Sequence, residues 1–96
     1  MRSLEEIIKI LSEKKDYLET SLGVTGLKAF GSFTEGTQGP DSDLDLIVEF
    51  KNTPTMFEFV RIEEELSRMV SVDVDLLTEE AISPYILSQI KPVEIL

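Results

Sequence analysis

The segment from Asp43 to Phe50, DLDLIVEF, places carboxylates within a stretch whose hydrophobic alternation is that of a half-buried β-strand. Because successive side chains of a strand point to opposite faces, its residues separate into two sets. One face carries Leu44, Leu46, Val48 and Phe50. The other face carries Asp43, Asp45, Ile47 and Glu49. Carboxylates on such a strand require solvent or a cation, so the segment predicts a sheet face that meets water or metal ions.

The length of the chain, 96 residues, predicts a single domain over residues 1–96, since a second hydrophobic core has no room. A hydrophobic fraction of 42% is typical of an ordered globular protein, and no apolar run approaches the roughly 20 residues of a membrane span. The acidic start MRSLEEIIKI indicates a helix and not a signal peptide. The absence of cysteine excludes disulfides and thiolate-bound zinc, which fits a cytoplasmic protein, and no membrane partner is expected.

The charge balance limits the functions that the chain can have. Nine Lys and Arg residues against nineteen Asp and Glu residues give a formal net charge of −10. Nucleic-acid affinity depends on clustered cations, so direct binding of DNA or RNA is not expected, whereas divalent cations and basic protein partners suit this composition. The absence of histidine removes the Ser-His-Asp triad and His-bound zinc. Any catalysis must therefore use carboxylates, hydroxyls, Lys, Arg, Tyr and hard metal ions.

The first half of the chain reads as a helix, a strand and a short turn. Ser3 and Glu6 form an S-x-x-E capping box, and apolar residues recur at helical spacing up to Gly23, which ends the helix. A strand is expected over residues 26–30, followed by a one-turn helix over residues 33–36.

The second half adds a long helix, a third strand and a short helix. The long helix has either Thr53 or Thr55 as its cap. The third strand, VDVDLL, covers residues 72–77, and the last helix begins at Ser83 and Pro84. The order α, β, turn, β, α, β, α predicts an α/β or α+β domain, a small mixed β-sheet flanked by helices. Its two acidic strands are expected to lie side by side or nearly so.

Two common ligand-binding motifs are incomplete in this chain. GSFTEGTQ has the glycine spacing of a P-loop, but Thr37 stands where the phosphate-binding lysine is required. The run DSDLD resembles the start of an EF-hand loop, but Leu46 and Asn52 occupy the positions of the turn glycine and the bidentate glutamate. Neither a P-loop nor an EF-hand is therefore expected.

A different constellation remains: Gly31-Ser32, ten intervening residues, Asp43-x-Asp45, and a further acid on the third strand. Residues two apart on a strand lie about 6.6 Å apart and point the same way, so two carboxylates can share one or two cations. Mg²⁺ prefers oxygen ligands, and a pair of such ions would activate a hydroxyl and neutralise a leaving pyrophosphate. The glycine lets the backbone approach a phosphate, to which Ser32 can donate.

Taken together, these motifs resemble a known family. Gly31-Ser32 followed by Asp43-Leu44-Asp45 is similar to the GSx10DxD signature of the nucleotidyltransferase superfamily that includes DNA polymerase beta. The longer pattern GSxxxGxxxxDSDLDLIVEF resembles the minimal nucleotidyltransferases, also known as MNT-domain or MntA-type antitoxins. The block VDLLTEEAISPYILSQI, residues 74–90, resembles the same family, so the similarity spans nearly the whole chain.

The resemblance implies a nucleotidyltransferase-like fold and a set of site residues. The implied nucleotide-binding residues are Gly31, Ser32 and Ser42. The implied catalytic residues and ligands of Mg²⁺ are Asp43, Asp45 and Asp75. The family's third acid lies in a Val-Asp-Leu context, which matches Val74-Asp75-Leu76, and Asp73 on the same strand face is its rival.

The family reaction moves AMP from ATP to a hydroxyl, which in toxin–antitoxin systems is a tyrosine of a partner HEPN ribonuclease. The resemblance therefore implies a cytoplasmic protein adenylyltransferase that uses ATP and a pair of Mg²⁺ ions. It would act as the antitoxin of a type VII-like HEPN/MNT pair, with homo-oligomerisation left open. One position departs from the family, since Glu35 stands before Gly36 where an arginine is common. This departure bears on catalytic efficiency and not on the metal ligands.

Two other functions are compatible with the sequence. The first is a binding module that keeps the fold and neutralises a basic toxin by occlusion, which the net charge of −10 and Glu35 favour. The second is nucleotidyl transfer to a small molecule such as an aminoglycoside, against which the short chain argues. Outside the site, the acidic run at residues 63–65 reads as a solvated helix face, and Tyr17 and Tyr85 read as packing or partner-facing residues.

Overall fold

The computed structural model describes residues 2–96. Within that range the chain forms five α-helices, four β-strands and one 3₁₀-helix at Glu79–Ala81. The α-helices are α1 (Leu4–Glu13), α2 (Lys15–Ser21), α3 (Ser32–Glu35), α4 (Met56–Val70) and α5 (Pro84–Gln89). The strands are β1 (Val24–Phe30), β2 (Leu44–Phe50), β3 (Val74–Leu77) and β4 (Val93–Glu94). None of the helices found in residues 2–96 is long and apolar enough to span a bilayer.

The four strands form one mixed sheet in the order β3-β2-β1-β4. β2 and β3 are parallel, and β1 is antiparallel to both β2 and β4. Parallel neighbours need a crossover connection, which α4 provides between β2 and β3. The sheet and its flanking helices confirm the predicted small mixed sheet, and the two acidic strands do lie side by side.

The hydrophobic core lies between one face of the sheet and the helices α1, α2 and α4. The strand residues of the core are Val24, Leu27, Ala29, Leu44, Leu46, Val48, Val74 and Leu76. The helix residues that meet them are Ile7, Leu11, Leu18, Ile62, Leu66 and Val70. Because side chains alternate along a strand, Asp45 and Asp75 point to the opposite face of the sheet.

Side-chain caps fix where the two longest helices begin. The Ser3 hydroxyl accepts a hydrogen bond from the Glu6 N–H (3.2 Å), and the Glu6 carboxylate accepts one from the Ser3 N–H (3.3 Å). The same reciprocal pair joins Thr55 and Glu58, at 3.1 and 2.9 Å, so the cap of α4 is Thr55 and not Thr53. Hydrogen bonds from these backbone N–H groups lower the pKa of Glu6 and of Glu58.

The opening helix differs from its prediction, because it is divided in two at Lys14. This residue leaves helical geometry, with φ −100° and ψ 11°, and its N–H donates to the Leu11 carbonyl oxygen at 3.1 Å. Residues on both sides of the break, Leu11 and Leu18, are fully buried. No glycine or proline marks the position, so the prediction of one continuous helix was wrong here and tertiary packing decides the break.

Candidate active site

Two carboxylates lie beside each other across the parallel strands β2 and β3. Asp45 and Asp75 are paired positions in the strand register, between two pairs of core residues. Their side chains therefore share the sheet face that is turned away from the core. The parallel register brings together two acids that are separated along the sequence by α4. Asp75 is also the residue that the family resemblance implies as the third acid.

Electrostatics link these two acids to Asp43, which immediately precedes β2. Asp45 is partly buried, whereas Asp43 and Asp75 are exposed. Burial raises the pKa of the Asp45 carboxyl, and the charges of Asp75 and then Asp43 raise it further. Three carboxylates so close create a negative potential that a bound cation would relieve.

Asp73, the rival of Asp75, lies immediately before β3. Its backbone carbonyl oxygen accepts a hydrogen bond from the Leu44 N–H at 2.8 Å. The residue lines a cavity of about 700 Å³ together with Ser42 and Arg68. The charges that raise the pKa of Asp45 are those of Asp75 and Asp43. The geometry thus favours Asp75 over Asp73 as the third acid beside Asp45.

Gly31 brings the turn before α3 into contact with the acidic strand β2. Its backbone has φ 83° and ψ −150°, a conformation that side chains rarely allow. A Cβ atom at this position would overlap Oδ2 of Asp45 and lie 3.4 Å from its Cγ. The glycine is therefore required by the neighbouring carboxylate as well as by the backbone. Sequence reasoning assigned Gly31 to phosphate binding and missed this second cause.

Ser32 begins α3, the predicted one-turn helix. The N–H groups of Thr34 and Glu35 both donate to the Gly31 carbonyl oxygen at 3.1 Å, which closes the turn. Phe33 is buried in the core and anchors it. Since the first N–H groups of a helix have no partner within it, that of Ser32 stays available to a ligand.

Ser42 belongs to the loop between α3 and β2. Its hydroxyl accepts a hydrogen bond from the Gly39 N–H at 2.8 Å, and its own N–H donates to the Gly39 carbonyl oxygen at 3.2 Å. The side chain thus closes a turn inside the loop, and its contact with a nucleotide stays a prediction. Glu35, which departs from the family pattern, is exposed at the last position of α3.

The three acids suit a hard cation without forming a closed metal centre. Within residues 2–96, no group of three or more acidic side chains is arranged to hold a metal ion by itself. The donors are nevertheless all carboxylate oxygens, and the raised pKa of Asp45 marks a place where negative charge lacks compensation. Mg²⁺ keeps several waters and takes ligands from substrate phosphates, so an open set of carboxylates fits it. Asp43, Asp45 and Asp75 are the residues that would hold it.

α4 holds β3, and with it Asp75, through two side chains that cover the outer edge of the strand. The Leu76 N–H donates to the Glu63 carboxylate at 2.8 Å. The Val74 N–H donates to the Ser67 hydroxyl at 2.9 Å, and that hydroxyl donates to the Glu63 carbonyl oxygen at 3.0 Å. Both outward N–H groups of the strand are thereby satisfied, which fixes the position of Asp75 beside Asp45.

The prediction of a solvated acidic run at residues 63–65 is therefore wrong at two of its positions. Glu63 caps β3, and Glu65 accepts a hydrogen bond from the Tyr17 hydroxyl, which raises the pKa of Tyr17. Glu64, between them, is exposed. The sequence feature that could have indicated the role of Glu63 is its i, i+4 spacing from Ser67, beside the buried stripe of α4.

Comparison of the sequence with known proteins identifies relatives along most of the chain. A family model described as a nucleotidyltransferase domain matches residues 4–92. A candidate protein adenylyltransferase of Methanocaldococcus jannaschii is 37% identical over 82 residues, which cover 85% of this chain and 95% of that protein. The protein adenylyltransferase MntA of Thermococcus cleftensis is 35% identical over 82 residues, which cover 85% of this chain and 83% of that protein.

Solved structures share the fold. A candidate minimal nucleotidyltransferase matches with a TM-score of 0.71 and 30% identity, over 92% of this chain and 89% of that chain. A complex of a tri-AMPylated Shewanella oneidensis HEPN toxin with an MNT antitoxin matches with a TM-score of 0.62 and 17% identity, over 93% of this chain and 71% of that chain. The family match over nearly the whole sequence, the relatives above 30% identity and the shared fold lead to one conclusion: the chain belongs to the nucleotidyltransferase domain family.

Proposed function

We propose that this chain transfers AMP from ATP to a tyrosine hydroxyl of a HEPN-type toxin, and that it acts in the cytoplasm as the antitoxin of that pair. The observation that carries the proposal is the grouping of Asp43, Asp45 and Asp75 next to the backbone of Gly31. Acids that suit a cation thereby lie beside the turn to which the family resemblance assigns phosphate binding.

Each residue has a separate part in the proposed reaction. Gly31 and Ser32 bind the triphosphate through backbone N–H groups and the serine hydroxyl. Asp43 and Asp45, completed by Asp75, would hold a pair of Mg²⁺ ions, which when bound would offset the negative charge of the phosphates. Asp75 accepts the proton of the tyrosine hydroxyl, while the oxygen of that hydroxyl bonds to the α-phosphorus of ATP. The bond from that phosphorus to the pyrophosphate oxygen breaks, and pyrophosphate leaves.

Two related proteins support the choice of nucleotide and acceptor. The relative from Thermococcus cleftensis is named a protein adenylyltransferase. The complex from Shewanella oneidensis joins an MNT antitoxin to a HEPN toxin that is tri-AMPylated. The net charge of −10 on the present chain also suits capture of a basic protein.

A second candidate is a binding module that neutralises the toxin by occlusion without turnover. Glu35, which stands where the family commonly has a cation, and the open arrangement of the acids favour it. The three acids are then retained without use, which is the main argument against this candidate. Transfer to a small molecule has less support, since the relatives named above are protein adenylyltransferases.

The decisive experiment incubates the chain with labelled ATP, Mg²⁺ and a HEPN-type protein as acceptor. Label is expected on the partner, and Asp43→Ala/Asp45→Ala is expected to abolish the transfer. Asp73→Ala is the matched control on the neighbouring acid and should retain most of the activity. Transfer that survives the double substitution would disprove the mechanism, whereas neutralisation without any transfer would favour the binding module.

Mg²⁺ binding is tested separately by thermal unfolding. The ion is expected to raise Tm beyond the effect of NaCl at equal ionic strength, because it relieves the repulsion among the three carboxylates. Asp43→Asn should remove this additional increase. An equal response of the wild type and the variant would exclude the proposed metal site.

A further inference from the structure

A groove at the end of the sheet away from the acids combines apolar and acidic side chains. It has a volume of about 710 Å³ and lies between the end of β2, the start of α4 and the segment that follows β3. Its apolar lining includes Val48, Phe50, Met56 and Phe59. Its charged lining, counted over residues 2–96, consists of Glu49, Glu79 and Glu80 without any Lys or Arg. These seven residues define the distal groove.

Large apolar side chains at the rim of the distal groove are exposed. Met56 lines the groove and is 77% exposed, and its neighbour Phe57 is 90% exposed. Val60, one helical turn further along α4, is 43% exposed. Single exposed apolar residues are common, but adjacent ones beside a groove are typical of an interaction surface. The start of α4 therefore has the character of a protein-binding surface.

The distal groove lies within reach of a protein bound at the acids. Asp45 and Glu49 lie four residues apart on β2 and point to the same face of the sheet. A strand rises about 3.3 Å per residue, so about 13 Å separates the two positions. Of the groove residues on β2, only Glu49 shares the face of Asp45, since Val48 and Phe50 point to the opposite face. A protein that places a hydroxyl at Asp45 therefore reaches the groove around the end of β2.

The charge of the lining decides which kind of molecule fits. A second copy of this chain also has a net charge of −10, so it would bring acids against acids. An anionic membrane surface is repelled for the same reason. A protein segment that carries apolar side chains together with Lys or Arg satisfies both parts of the lining.

We infer that the distal groove docks a segment of the toxin in which apolar residues are interspersed with Lys or Arg. The inference rests on the proposed AMP transfer and adds the surface that selects the protein acceptor. Docking at the groove holds the partner while its tyrosine hydroxyl lies at Asp43, Asp45 and Asp75. Because the groove is remote from these acids, its loss weakens capture of the partner and leaves the chemical step unchanged.

The test measures AMP transfer from labelled ATP as a function of the concentration of the HEPN-type acceptor protein. Met56→Glu and the double variant Glu79→Lys/Glu80→Lys are each expected to raise the KM for that protein about tenfold or more. The kcat and the KM for ATP are expected to stay unchanged, which a general loss of folding would not allow.

Two matched variants control for apolarity and for net charge. Ile86→Glu replaces another exposed apolar residue, 51% exposed on α5 and outside the distal groove. Glu5→Lys/Glu13→Lys makes the same change of net charge on exposed positions of α1. Both controls are expected to leave the KM for the partner within about twofold of the wild type.

Three results separate this inference from the proposed function. An unchanged KM in the groove variants of an active enzyme would overturn the docking site and leave the proposed function standing. A dimeric wild type that becomes monomeric with Met56→Glu would also overturn it, because a second copy would then fill the groove. If the wild type transfers no AMP, the proposed function fails, and equilibrium binding of the same partner decides. A higher Kd in the groove variants than in the wild type supports docking, and an unaltered Kd refutes it.

Discussion

At the scale of single residues, the contact between Gly31 and Asp45 joins the turn before α3 to the acidic strand β2. The backbone of Gly31, with φ 83° and ψ −150°, lies in a region that in practice only glycine occupies. The space that a side chain would fill contains the Asp45 carboxylate. A change at either residue therefore alters the position of the other.

Gly31→Ala is expected to lower the free energy of unfolding by about 1–3 kcal/mol, because alanine is strained in this conformation. The new methyl group should also displace Asp45 and reduce the increase in Tm that Mg²⁺ produces. Thermal unfolding with and without Mg²⁺ measures both effects. Gly39→Ala, in the loop that follows α3, is the matched control, since nothing lies within 4 Å of its added Cβ. Equal responses of the two variants would contradict the argument.

The pH dependence of metal-free protein should reveal Asp45. Its pKa is raised in the folded state, first by burial, so the folded state binds the proton more tightly than the unfolded chain does. The free energy of unfolding therefore falls as pH rises through the Asp45 pKa, by less than about 1 kcal/mol because solvent screens the group. Asp45→Asn should remove this loss and be more stable than the wild type at about pH 7 in EDTA. Urea unfolding at about pH 3.5, below the ordinary carboxyl pKa of 3.8, and at about pH 7 tests it, and an advantage of the variant that grows at the lower pH would contradict it.

The residues of the site illustrate what a sequence can and cannot predict. The alternation in β2 predicts that Asp43 and Asp45 share a face, and the structure places their side of the strand away from the core. The Val-Asp-Leu context pointed to Asp75, which the register pairs with Asp45. The contact between Gly31 and Asp45 could not be predicted, because it depends on how closely α3 approaches β2 in space.

At the scale of elements, the union of α4 with β3 determines where the third acid lies. β3 is a short edge strand, and its outward N–H groups at Val74 and Leu76 donate to Ser67 and Glu63. The outer edge of β3 is thereby hydrogen-bonded to a helix and not to another strand. The position of Asp75 follows from these hydrogen bonds.

Glu63→Ala is expected to cost about 1–3 kcal/mol of the free energy of unfolding, because the Leu76 N–H loses its acceptor. AMP transfer should fall as well, since β3 carries Asp75. Glu64→Ala removes an exposed neighbour and should change stability by less than about 0.5 kcal/mol. Urea unfolding and transfer assays on both variants provide the comparison. Identical stabilities would show that the cap of β3 contributes nothing.

Local signals predict the starts of the helices better than the ends of the strands. The caps at Ser3 and Ser83 are found where the sequence indicates, because a hydroxyl that accepts from a nearby N–H is a local interaction. β4 has only two residues and exists because the edge of β1 offers partners at Lys28 and Ala29. A strand without its own periodicity has no sequence signature. The break at Lys14 also has no sequence signature, because tertiary packing and not a local residue decides it.

At the scale of the whole molecule, the net charge of −10 works against the compact state. Among residues 2–96, the one side-chain ion pair joins Arg2 to Glu6 at 3.4 Å, and it is largely exposed. Such a pair contributes little, so screening by salt removes repulsion and almost no attraction. Salt is therefore a stabilising agent for this fold.

Raising NaCl from about 50 mM to about 500 mM is expected to raise Tm by a few degrees, because the range of charge repulsion shortens several-fold. Glu5→Lys/Glu13→Lys, which changes the net charge from −10 to −6 since each substitution adds two charges, should respond less. Differential scanning fluorimetry measures both proteins. A fall in Tm with salt would mean that favourable ion pairs dominate.

The hydrogen bonds of Glu63 and Ser67 to the edge of β3 also limit how this chain can associate with other chains. An uncovered strand edge recruits further strands, which is a common route to peptide capture and to fibrous aggregates. Here one edge already has its donors engaged, and the opposite edge, β4, is two residues long. Sheet extension is thereby discouraged at both sides. Recognition of another protein is then expected to proceed through side chains, and the net charge of −10 adds a second barrier to strand-to-strand association.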